Sequence, residues 1–435
     1  MIYFLINNFD MIFRNFTIHP AAAYQGLTAS RVPFHVVALR QTYSFKDGAL
    51  AFDEAQSPLH ATDTFIGSLN QSSLLTESDY CPFKLACDVL VHATAYAPRG
   101  RPARHFPVRL RLSARELPSP LLDKELRVSG PSWFRRRGLL MRGVAALLRW
   151  GTLGLVRVNP WFRTGCGEIL NLPLSYEYAF GGESKILVSQ ACARRVARRN
   201  WLEGTEYRTL ARVFATTRED APLAWTIHSA NPVGRGFAQE WFLKATRARA
   251  IPAPQIEAPG LPVTARLFSR HARGRGATHP AFIPRGFGPQ AKGWLPRRLL
   301  AGTAGEPWAA SGRPWPDGFS FAFWNTAPPD QQIPHLRGDE TLELINLCRP
   351  GRPGAQLDDQ GQTILRLALP GHAPHLLARC QSGRMFIVPL ALDTLQVDVE
   401  RSSLGMVWRA VLPMEPALRV LEARMSGTEM EQAHG

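Results

Sequence analysis

The chain has 435 residues, 45% of them hydrophobic and 20% charged, with a formal net charge of +16. That balance excludes a disordered or collagen-like chain and is enough to bury one large core or two. Six of the 51 basic residues are lysines and the rest arginines, a skew that suits planar pairing with carboxylates as well as contact with phosphate.

The opening residues, MIYFLINNFDMIFRNF, are apolar but carry no Lys or Arg before Arg14 and no small-residue cleavage site, which argues against a secretory signal. Residues 1–16 read as an extension, with Met11 as the start, or as a first strand. Alternating or β-branched runs then predict strands at 34–45, 84–97, 106–112, 125–129, 174–180, 340–347, 363–369, 384–399 and 404–412. Lys46-Asp47-Gly48 and Asp359-Gln360-Gly361 supply hairpin signals.

Helical periodicity is confined to 138–150, 186–202 and 416–425. The stretch 138–156 is long enough to cross a bilayer but is interrupted by Arg142 and Arg149. Seven residues apart, these share nearly one face of an amphipathic helix. It is read as packed on the protein itself, with a membrane-surface role as the lesser alternative and no stable insertion. The Pro/Gly-rich region 250–317 repeats Trp294, Trp308 and Trp315, an aromatic load that predicts an ordered, loop-rich wrapping over the sheets and a recognition surface. The expected fold is mainly β: packed antiparallel sheets, β-sandwich-like, in one or two lobes. Residues 17–414 form the domain, with sublobes 17–183 and 319–414 around a loop-rich middle at 184–318, and 415–435 form a C-terminal tail.

Signals for catalysis are sparse. The phosphate-loop, HExxH, GxSxG and GxGxxG patterns are absent. Cys81, Cys87, Cys166, Cys192, Cys348 and Cys380 include no CxxC pair, and read as small buried hydrophobes in a reducing cytoplasm. His372 and His375 frame a proline with no adjacent carboxylate, a turn rather than a metal site. Asp79 and Asp88 bracket Pro82 and Lys84. An acid and a base at that spacing could move protons, but ion pairing that fixes the start of a strand is the plainer role. Glu177, beside the AFGG turn, has the same two readings.

In that turn Gly181 and Gly182 allow backbone angles that a Cβ resists. In NPVGRGF, Pro232 holds Asn231 extended, Gly234 and Gly236 permit reversal, and Arg235 projects between them. Its guanidinium is either presented to a partner or clamped internally on Glu177 or Asp339. The arginine clusters at 135–137, 193–199 and 266–276, the last a loop holding Arg266, Arg270, Arg273 and Arg275, read as a solvated face or a docking patch.

Taken in order, SDYCPFKLACDV, LPLSYEYAFGG, NPVGRGF, GFGPQAKGWLPR and APPDQQ, followed by RGDETLELINL, resemble the signature of an uncharacterised bacterial family. Its genes sit beside VgrG and PAAR spike genes of type VI secretion, and its members are regarded as effector adaptors or chaperones. The likeness covers nearly the whole chain. It departs at Ser129–Trp133 (SGPSW) and Gly302–Trp308 (GTAGEPW), where the family's acidic residues are missing. The resemblance implies a cytoplasmic, non-enzymatic protein without cofactor, metal or catalytic residues, whose partners are an effector toxin and VgrG or PAAR, with nucleic acid disfavoured. Trp294, Arg297 and Trp308 join Asn231, Pro232, Gly234, Arg235, Gly236 and the four loop arginines as recognition candidates. Asp79, Pro82, Lys84, Asp88, Gly181, Gly182 and Asp339 are the structural motif. The rival readings are a hydrolase or transferase with a dispersed site, and a basic nucleic-acid-binding protein.

Overall fold

In the computed structural model, which describes residues 11–69, 71–152, 158–187, 222–303 and 315–425, the apolar run PFHVVALRQTYS forms a 12-residue strand, Pro33–Ser44. Most of its residues are buried on both faces, as befits an inner strand of a covered sheet. It lies in a seven-stranded sheet whose main path runs Ala21–Leu27, Pro33–Ser44, Ser403–Pro413, Ala391–Asp398, Cys87–His92 and Gln332–Ile333. Neighbours are antiparallel except Ala391–Asp398 and Cys87–His92, which run parallel.

A six-stranded antiparallel sheet runs Ile256–Glu257, Leu122–Ser129, His105–Ser113, Thr341–Ile345, Thr363–Ala368 and Ala355–Leu357. A smaller one joins Ile12–Asn15, Leu418–Met425, Pro374–Cys380 and Met385–Pro389. Strand His105–Ser113 shows why these sheets stack. Phe106, Val108, Leu110 and Leu112 alternate inward, and they join Leu39, Val89, Leu344, Leu376, Leu395 and Leu421 in one core shared by all three sheets. The fold is thus mainly β with packed sheets, as expected.

Chain halves that are distant in sequence are interleaved: Pro33–Ser44 pairs with Ser403–Pro413, and His105–Ser113 with Thr341–Ile345. Segments 17–183 and 319–414 therefore share sheets and a core. Ile12–Asn15 forms a short strand paired in parallel with Leu418–Met425.

Three expectations are overturned. Residues 416–425, expected as a helix within the tail, form strand Leu418–Met425. It has Leu418, Val420, Leu421 and Ala423 buried and is paired on both sides, so sheet burial overrides helix-forming composition. The strand expected over 174–180 is broken by a 3-10 turn at Tyr176–Tyr178, between short pairings at Asn171–Pro173 and Phe180–Gly181. The helix expected from 186 conflicts with strand Glu183–Leu187; its remainder lies outside the described residues.

A second, smaller core sits under the Pro/Gly-rich region. Here a three-stranded sheet, Trp161–Arg163, Trp133–Arg136 and Ala250–Pro252, packs one face on a helix. The helices of seven or more residues among the described residues are α1, Leu139–Gly151; α2, Glu240–Thr246; and α3, Ala265–Ala272. Phe134 stacks on Phe268 of α3 at 4.3 Å, and Trp161 meets the same ring edge-on at 5.2 Å. Helix α1 leaves Met141, Val144, Leu147 and Trp150 exposed. Among the described residues no helix is long and apolar enough to cross a membrane.

Candidate functional site

Segment 77–88 is a hub of buried charge. The Asp79 carboxylate accepts from Arg40 at 3.0 Å and from the His60 backbone N–H at 2.8 Å. Lys84 Nζ donates to Asp88 at 2.8 Å and to Thr394 at 2.7 Å. Asp88, fully buried, also accepts from Asn325 and from the backbone N–H groups of Thr326 and Ala327. Burial pulls the Lys84 ammonium down, but the Asp88 and Asp393 carboxylates outweigh it and raise its pKa. Pro82 is buried between these pairs. Every acid and base of the motif thus has an internal partner.

Beneath it lies a network that sequence reading missed. Arg409 donates to Asp393 at 2.6 Å, to the carbonyls of Asp79 and Cys81 at 2.9 and 3.1 Å, and to the Tyr24 hydroxyl. Burial pushes the Cys81 thiol up to about 11, keeping it protonated. Lys124 was missed too, although LDKELRV places it in register with buried Leu122 and Leu126. Its ammonium donates to Asp330, Gln331 and the Gly286 carbonyl, and burial lowers its pKa to about 8. A lysine at an apolar alternation position is the signal that could have found it.

The AFGG and NPVGRGF motifs meet. Phe180–Gly181 pairs in parallel with Arg235–Gly236, and the side-chain amide of fully buried Asn231 donates to the carbonyls of Tyr176 and Phe180. Gly181 and Gly182, at φ 153° and 106°, leave room only for hydrogen: a Cβ would lie 2.2 Å from the Asn231 oxygen and 2.5 Å from the Gly234 oxygen. Arg235 takes the clamp role, with corrected partners. Its Nε donates to the Glu177 carbonyl and its Nη1 to Gln255, each at 2.8 Å, and its plane lies 4.2 Å over the Tyr178 ring. The Glu177 carboxylate is occupied by Ser73 instead. Desolvation lowers the Arg235 pKa.

Arg235 also lines an open hollow of about 360 Å³ with Trp133, Val233, Pro252 and Gln255. Trp133 lies on the face of the three-stranded sheet opposite α3, because strand alternation sends Phe134 inward and Trp133 and Arg135 out. Arg135 pairs with exposed Phe162 across that face, and Arg137 lies 5.5 Å over the Phe162 ring.

The remaining candidates divide by burial. Trp294 is buried edge-on to Tyr176 at 5.0 Å. Arg297 is buried in a bidentate pair with Glu77 and donates to the Phe323 carbonyl. Neither reaches a partner's surface; both tie loops together. Asp339 is exposed, and its neighbour Glu340 does the structural work, accepting from the Arg337 and Gly338 backbone N–H groups. Trp308 and the 193–199 cluster lie outside the described residues.

Segment 266–276, expected as a loop, opens with helix α3, capped by Thr264 accepting from Leu267 N. Arg266, Arg270 and Arg273 follow i, i+4, i+7 spacing on its exposed side, with Arg275 exposed beyond its end. Among the described residues, no group of three or more His, Cys, Asp and Glu could hold a metal ion.

Residues 31–409 match a family described as an uncharacterised protein conserved in bacteria (DUF2169), and the chain belongs to that family. No match was found to a curated protein or to a solved structure.

Proposed function

We propose that this protein is a non-catalytic adaptor or chaperone that holds an effector toxin and helps load it onto the VgrG or PAAR spike of a type VI secretion system. The observation that carries the reading is the three-stranded sheet with helix α3 packed on one face, a unit that exposes side chains on two opposite sides. One is the Trp133, Phe162 and Arg135 face with the Arg235 hollow; the other is the arginine side of α3. An adaptor needs two separate surfaces, because cargo and carrier must be bound together. Exposed aromatics beside arginine are the residue types that dominate docking energies. A row of exposed arginines steers an acidic partner by its summed field. Internal use of the buried acids and bases supports a binding role in the same direction.

The test is co-expression with the product of the adjacent gene that this reading takes for its toxin. The reading expects a co-purifying complex and a higher soluble yield of the toxin; two proteins that purify apart and fail to bind at micromolar concentration would end it. Reversal of Arg266, Arg270, Arg273 and Arg275 to Glu separates the adaptor from a nucleic-acid binder. The adaptor loses association rate toward toxin or spike, with a difference that shrinks as salt rises. A nucleic-acid binder loses only a steeply salt-dependent duplex affinity.

A further inference from the structure

Among the described residues, strand Ala21–Leu27 is the outer strand of the seven-stranded sheet and pairs on one side only, with Pro33–Ser44. The direction of its peptide groups follows from two bonds. Arg40 N donates to the Pro20 carbonyl, so the groups of even-numbered residues point toward Pro33–Ser44. Trp315 Nε1 donates to the Leu27 carbonyl from the other side, so odd-numbered residues point outward. The edge is closed at both ends. Trp315 caps Leu27, and beyond Pro20 the Gln56 side-chain amide brackets the Thr42 backbone, accepting from its N–H and donating to its carbonyl. Between these caps the N–H and C=O groups of Ala21, Ala23 and Gln25 face outward with no hydrogen-bond partner among the described residues.

A cleft of about 490 Å³ lies against this edge, lined by Tyr24, Gln25, Tyr80, Pro82 and the 61–63 segment, with Lys292 at its rim. Tyr24 and Gln25 project to opposite faces of their strand, so a space lined by both sits at the strand's edge rather than over a face. Its apolar walls are Tyr24, Tyr80 and Pro82. Lys292 is neutralised by Asp63, which accepts through both oxygens at 3.0 Å, so the rim offers no net charge.

We propose that this edge captures an extended polypeptide segment of the partner as an added strand, its backbone on Ala21, Ala23 and Gln25 and its apolar side chains in the Tyr24, Tyr80 and Pro82 cleft. Outward peptide groups at every second residue match the repeat of an extended chain, and alternate side chains then fall into the pocket. Residues 61–63 and 80–82 line the cleft on the side away from Pro33–Ser44, next to the outward peptide groups of Gln25. The proposal rests on the adaptor reading and names how the cargo is held.

The experiment uses the full-length protein and overlapping peptides that cover the adjacent gene product taken for the toxin under the adaptor reading, read by fluorescence polarisation. Ala23→Pro removes an outward N–H without touching the ladder to Pro33–Ser44, since residue 23 does not bond inward. Ala61→Trp, at an exposed wall residue, fills the cleft and keeps the test valid should the proline variant unfold. One or more peptides bind the wild type, each variant weakens them by about tenfold or more, as loss of a hydrogen bond or of the apolar seat predicts, and residue-resolved hydrogen exchange shows new protection at Ala21, Ala23 and Gln25. Wild-type capture of the toxin by both folded variants overturns the added strand and leaves the adaptor standing. A dimer of the wild type that is lost in Ala23→Pro, without peptide binding, shows self-pairing and also overturns it. Failure of the wild type to capture the toxin in any form removes the adaptor reading and this proposal together.

Discussion

Acid should loosen the smaller core. His228 sits in a cluster of rings, 5.0 Å from Phe180 and 5.6 Å from Phe237, with His271 at 6.1 Å. Its Nδ1 is buried and has no hydrogen-bond partner among the described residues. Burial, with a lesser push from His271, lowers its pKa from 6.5 to about 4. Between those values the unfolded chain binds a proton that the folded one refuses, so stability falls as pH drops through that window.

At pH 5 the unfolded imidazole is protonated by about 1.5 units of driving force, worth about 2 kcal/mol. That is an upper figure, since the ring keeps some solvent contact. Burial lowers His271 as well, with the same sign. Carboxylates are silent here because their unfolded pKa values lie near 4, below the window. The assay is hydrogen exchange of the α3 amides at pH 7.5 and 5, corrected for intrinsic rates, in the wild type and in His228→Phe. The wild type should lose up to about 2 kcal/mol of opening free energy more than the variant, whose ring fits an aromatic cluster and cannot charge. Equal pH dependence in the two proteins would refute the argument.

Asp393→Ala strands the buried Arg409 guanidinium and should lower stability by about 3 to 5 kcal/mol in chemical denaturation; a loss under 1 kcal/mol would mean that water reaches Arg409. Gly181→Ala forces a Cβ onto the Asn231 carbonyl at a φ that resists one, and should cost more than about 2 kcal/mol or prevent soluble expression. Lys124, lowered by burial to about 8 from 10.5, binds fewer protons folded than unfolded between those values. Its contribution to stability therefore rises with pH there, and Lys124→Met should abolish that component of the pH profile; an unchanged profile in the variant would show that Lys124 is fully protonated when folded.

Much of the mainly-β character was legible locally, because strands that bury one face write their alternation into the chain. FPVRLRL and TILRLA need no partner to be read as strands. The hairpin at Lys46-Asp47-Gly48 and the glycine geometry of AFGG were readable for the same reason: turn chemistry is set within a few residues. Helix α1 was equally plain from its period.

What the tertiary structure decided is everything that depends on which distant segments meet. Leu418–Met425 has helix-forming composition, and only its place between two strands makes it a strand. Arg235 was recognisable as special, but its partners, the Glu177 carbonyl and Gln255, follow from a parallel pairing between residues some 55 apart. Arg297 looked like a surface anchor and is an interior tie, since its partner Glu77 comes from the far side of the chain. The interior charge network of Arg409, and the open edge of Ala21–Leu27, have no local signature: desolvation and pairing are properties of a packed environment, and residue type alone does not carry them.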